Sequence, residues 1–88
     1  MKNIDPSLAH EAVQLVGGDR NRAYAHPAIN FQRIARLWEP ILGCPVTPAQ
    51  VALCMVQVKV AREIHAHKRD NLVDLIGYTL TLDAVTED

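Results

Sequence analysis

The stretch TPAQVALCMVQVKVAREIHAHKRDNLVDLIGYTLTL, residues 47–82, decides the fold. Thr47 can accept a hydrogen bond at a helix N-cap, Pro48 suits the first helical position, and Gln50 stands where a capping box needs it. Between Val51 and Val58 only Gln57 is polar. Val51, Val56, Val58 and Val60 also favour strands, but the length of the segment and its cap argue for a helix over about residues 48–66. Being apolar on most of its circumference, that helix is expected in the middle of the packing. A second helix, over about 70–82, carries Leu72, Val73, Leu75, Ile76 and Leu80 on one side. With His67-Lys68-Arg69 as the turn, the two form an antiparallel hairpin.

Working outward, Phe31, Ile34, Ala35, Trp38, Ile41 and Leu42 recur at helical spacing and predict a helix over 27–42. Pro40 is expected to kink its last turn, and Gly43 and Pro45 to end it. An earlier helix over 6–16 opens at Asp5-Pro6 and places Leu8, Ala12, Leu15 and Val16 at steps of three and four. Gly17-Gly18 is expected to stop it in the left-handed conformation. Residues 19–27, DRNRAYAHP, lack periodicity and read as an ordered loop, and the tail DAVTED reads as frayed. The sum is a single domain over 1–88: all-α, a compact four-helix domain. A core this small, with one helix apolar nearly all round, points to a homo-oligomer.

Composition excludes several classes. The 88 residues are 49% hydrophobic and 22% charged, a globular balance and not a disordered one. A formal charge of -1 is no polycation, and no recognition helix stands out, which together argue against DNA binding. No apolar run approaches the about 20 residues of a membrane span. Asp5, Pro6, His10 and Glu11 fall where a signal peptide would be apolar, so a reducing cytoplasm is the expected compartment. Cys44 and Cys54 fit neither a CxxC motif nor a disulfide framework and read as packing residues.

The chemistry-bearing residues cluster near the hairpin. Asp70 and Asp74, four apart, share a helix face that Tyr78 and Thr81 continue. Two carboxylates one turn apart can hold Mg²⁺, with water and phosphate oxygens completing the shell. They serve equally as a cap and an ion-pair partner. Gly77, costing roughly 1 kcal/mol against alanine within a helix, signals close approach by a helix or a ligand. Across the hairpin, Lys59 and Arg62 interrupt an apolar neighbourhood and can face the two aspartates. Either the four form an internal network that sets helix register, or they form a phosphate site. Pattern alone leaves both open. The loop adds Arg20, Arg22, Tyr24 and His26, and arginines beside a tyrosine suit a planar anion such as a nucleotide. Residues 20–69 hold eight Lys and Arg against Glu39 and Glu63. His65 and His67, two apart, make a poor metal pair.

The segments DRNRAYAHPAINFQRIARLW, VALCMVQVKVAR and DNLVDLIGY resemble a small all-α family of unknown function common in phage and prophage genomes. The resemblance runs over residues 19–78. Ala25 stands where that family usually has glycine, which costs roughly 1 kcal/mol if the backbone there is left-handed. The final K-x-x-R … D-x-x-x-D-x-x-x-Y pattern, over about the last 30 residues, is also similar to MazG-like nucleotide pyrophosphohydrolases. Those enzymes add an E-x-x-E pair to complete a Mg²⁺ site, whereas Glu39 and Glu63 stand alone here. The resemblance therefore implies a small phage-type protein, encoded by a phage or prophage and acting in the bacterial host cell. Such a protein is expected to bind a nucleotide-like phosphorylated ligand, as in nucleotide metabolism or counter-defence, and hydrolysis is less favoured than binding. Its expected site is Arg20, Tyr24, His26, Lys59, Arg62, Asp70, Asn71, Asp74 and Tyr78, at a subunit interface. The alternative is a structural or protein-interaction module locked by internal salt bridges.

Overall fold

The computed structural model describes residues 1–18 and 26–86. Among the described residues, four helices follow one another: α1 (Ser7–Gly17), α2 (Pro27–Leu42), α3 (Pro48–His65) and α4 (Arg69–Val85). The arrangement is all-α. The valine-rich stretch is helical throughout, and α4 runs three residues past Leu82 into the segment expected to fray.

Local chemistry sets most of the ends. Thr47 Oγ1 accepts from the Gln50 N–H at 3.1 Å while Gln50 Oε1 accepts from the Thr47 N–H at 2.9 Å, closing the capping box of α3. Pro27 is the first residue of α2, and His26 Nδ1 caps it by accepting from the Ala28 N–H at 3.0 Å. Gly43 ends α2 with φ +72°, a left-handed conformation that suits glycine. The helix passes through Pro40 to reach it. Glu39 then accepts from the Val46 N–H at 3.1 Å and holds the connection to α3. At α1 the expectation fails in one respect. Gly18 has φ −106°, so no left-handed turn stops the helix there. Asp5 does help start α1, its Oδ1 accepting from the Ser7 N–H at 3.0 Å and the Ser7 hydroxyl at 2.6 Å.

The central helix is α4, not the valine-rich α3. It packs against α1, α2 and α3, and every residue from Asn71 to Tyr78 is buried or half-buried. Gly77 admits α1 closely: a Cβ there would lie 3.3 Å from Val16 Cγ1. On α3 only Val51 and Ala52 are buried, because α2 and α4 cover one side of it. One core joins Phe31, Ala35, Val46, Val51 and Ala52, ringed by Ile34, Trp38, Met55, Tyr78 and Leu82. Ala12 and Val73 are buried as well. The expected compactness is not reached. The molecule measures 45 × 30 × 26 Å with a radius of gyration of 14.1 Å, against about 12 Å for a compact domain of this length. Both cysteines are exposed and therefore are not packing residues.

Candidate functional site

The antiparallel α3–α4 hairpin turns the spacing of its charges into a cleft. Stepping by three residues along α3 and into the turn brings Lys59, Arg62, His65 and Lys68 to one side of it, with Asp70, Asn71 and Asp74 of α4 opposite. The cleft is open to solvent and holds about 350 Å³. Lys59 Nζ lies 2.7 Å from Asp74 Oδ2, with side chains 14% and 31% exposed. Among the described residues, Arg62, Lys68 and Asp70 have no ion-pair partner. The first turn of α4 borders the cleft without a side-chain cap, so the positive end of its dipole adds to the cations.

A polar hub beneath the turn shapes the cleft. Glu63 accepts from His67 Nδ1, from the Lys68 N–H at 3.0 Å and from Asn71 Nδ2 at 3.0 Å. Those bonds, led by His67 and then Asn71, hold its carboxyl down at about 2, from an ordinary 4.5. Asn71 is buried, and its amide also donates to the Ala66 carbonyl at 3.3 Å. It therefore supports the cleft and its donors are committed. The next residue round the turn, Arg69, leaves the cleft altogether. It donates to Glu11 Oε2 at 3.0 Å, to Asp5 Oδ2 at 3.2 Å and to Ser7 Oγ at 3.0 Å. Glu11 and then Asp5 raise its already high pKa, while hydrogen bonds from Ser7, ahead of the Arg69 contact, lower that of Asp5.

Of the expected site residues, Lys59, Arg62, Asp70, Asn71 and Asp74 come together. Two lie elsewhere. His26 caps α2, and Tyr78 packs on the core with its ring 6.3 Å from that of Phe31. Thr81, also on the expected stripe, is buried and bonds the Gly77 carbonyl at 3.0 Å. Arg20 and Tyr24 fall outside the described residues, as do Arg22 and Ala25. Sequence reasoning missed His65, Lys68 and Glu63. The recurrence of a basic residue every third position from Lys59 to Lys68 was the signal for the first two. As for Mg²⁺, Asp74 is engaged by Lys59, and no group of three or more His, Cys, Asp or Glu among the described residues could hold a metal.

Residues 7–86 match the family described as a domain of unknown function, DUF6378. The chain belongs to that family. This DUF6378 domain is 34% identical over 86 residues to the Gene 55 protein of Mycobacterium phage D29, and 33% over 79 residues to that of Mycobacterium phage L5. The alignments take in 97% and 88% of the chain but 57% and 51% of those relatives. It thus spans about half the length of the curated relatives it matches. The resemblance to a phage family of unknown function stands, and nothing in these matches bears on the MazG-like one. No solved structure matches. Among the described residues, no helix is long and apolar enough to cross a membrane.

Proposed function

We propose that this phage-family domain binds a small phosphorylated ligand, a nucleotide or nucleotide-like anion, in the α3–α4 cleft and holds it without hydrolysing it. The observation that carries this reading is the open cleft where Arg62 and Lys68 project without anionic partners among the described residues. A guanidinium offers phosphate two parallel donors and an ammonium adds a point charge. Asp70, without an ion-pair partner among the described residues, can accept from ligand hydroxyl or amino groups. The volume of about 350 Å³ lies within the range of small-ligand sites. Holding such a ligand stoichiometrically suits a phage protein that depletes a host nucleotide signal.

Thermal unfolding against a panel of nucleotides and inorganic phosphate tests this. A true ligand at a hundred times its dissociation constant adds about 2.7 kcal/mol, roughly 10–20 °C in a domain this small. Arg62 is exposed, so Arg62→Ala should remove the shift and leave the unliganded midpoint in place. A flat panel, or a shift untouched by Arg62→Ala, would refute the proposal. The Lys59–Asp74 pair favours a second reading, in which the charges lock the register of α3 on α4 and the domain serves as a structural or protein-interaction module.

A further inference from the structure

The solvent side of α3 is apolar where a surface helix is normally polar. Leu53, Gln57, Val60 and Ile64, spaced by four, three and four, fall on one line along it. Leu53 is 51% exposed, Val60 36% and Ile64 81%, and Cys54 and Ala61 beside them are exposed too. Gln57 is the single polar member. Lys59 and Arg62 project from roughly the opposite side of the helix, so the stripe is separate from the cleft.

The molecule as a whole also exposes more surface than its mass requires. It exposes 6597 Å², whereas a folded monomer of 9.8 kDa exposes about 5,200 Å². The excess of about 1,400 Å² exceeds the about 800 Å² that a standard interface takes from each partner. Part of it is the exposed segment Met1 to Pro6, and part is aliphatic helix surface.

We infer that this face is covered by a second copy of the chain, with the two α3 helices antiparallel about a two-fold axis. The spacing is self-complementary under that operation: Leu53 faces the partner's Ile64 and Gln57 faces the partner's Val60, each pair occurring twice. Gln57 then lies near the axis, where its amide can bond its own copy. The cleft stays open in each subunit, which moves the expected ligand site away from the subunit interface. The inference does not rest on ligand binding.

Sedimentation equilibrium over a dilution series tests it. The wild-type chain should reach twice 9.8 kDa. Leu53→Glu or Ile64→Glu should raise the dissociation constant at least about a hundredfold, a factor of ten at each of two symmetry-related positions. Both positions are exposed in the monomer, so the far-ultraviolet helix signal should not change. Leu53→Glu mixed with Ile64→Lys should associate more tightly than either variant alone, because only the antiparallel register sets the new charges opposite each other. A wild-type monomer at every concentration, a dimer indifferent to both substitutions, or a mixture no tighter than its components would each overturn the assignment.

Discussion

The Lys59–Asp74 pair separates a register lock from an incidental contact. At 2.7 Å the attraction is about 6 kcal/mol with an effective dielectric of about 20. Desolvating two largely covered groups offsets most of that. Exposed pairs retain about 0.2–1 kcal/mol, whereas removing one partner of a buried pair costs about 3–5 kcal/mol. With side chains 14% and 31% exposed, this pair lies between those limits. Lys59→Met and Asp74→Asn should each cost about 1.5 kcal/mol, or roughly 6–12 °C in the melting midpoint. The double variant should cost about the same as either one, a coupling of about 1–2 kcal/mol. Urea unfolding of the four proteins closes the cycle. If the single losses simply add to within about 0.5 kcal/mol, the pair does not set register and the reasoning fails.

Glu63 gives a pH test. Its carboxyl is held at about 2 when folded against an ordinary 4.5, so its contribution is fully present above 4.5 and is lost as pH falls towards 2. The stability difference between wild type and Glu63→Gln, followed by acid unfolding, should shrink across that window; a constant difference would show that the hub does not favour the ionised form. At Gly77, a Cβ would already meet Val16 Cγ1 at 3.3 Å, and a branched side chain would press further against α1. Gly77→Val should cost about 1–3 kcal/mol by overpacking, read from urea midpoints, and a neutral result would mean that α1 moves aside freely.

The sequence by itself determined the four helices and most of their ends, because caps are made by residues two to four positions apart. Thr47 with Gln50, His26 with Ala28 and Gly43 with Glu39 all close within that span. It also set Lys59 and Arg62 across the hairpin from Asp70 and Asp74, but only the tertiary structure paired Lys59 with Asp74 and left Arg62 and Asp70 without an ion-pair partner among the described residues. Tertiary structure alone decided which helix is central. Apolar counting favoured α3, but burial depends on what packs against a face, and α4 satisfies its polar residues internally: Asn71 through Glu63, Asp74 through Lys59, Thr81 through Gly77. The same dependence sent Tyr78 to the core and left Cys44 and Cys54 exposed. Arg69 reaches Glu11 across 58 residues, a contact that no local pattern encodes, because only the docking of α1 on α4 brings its partners within reach.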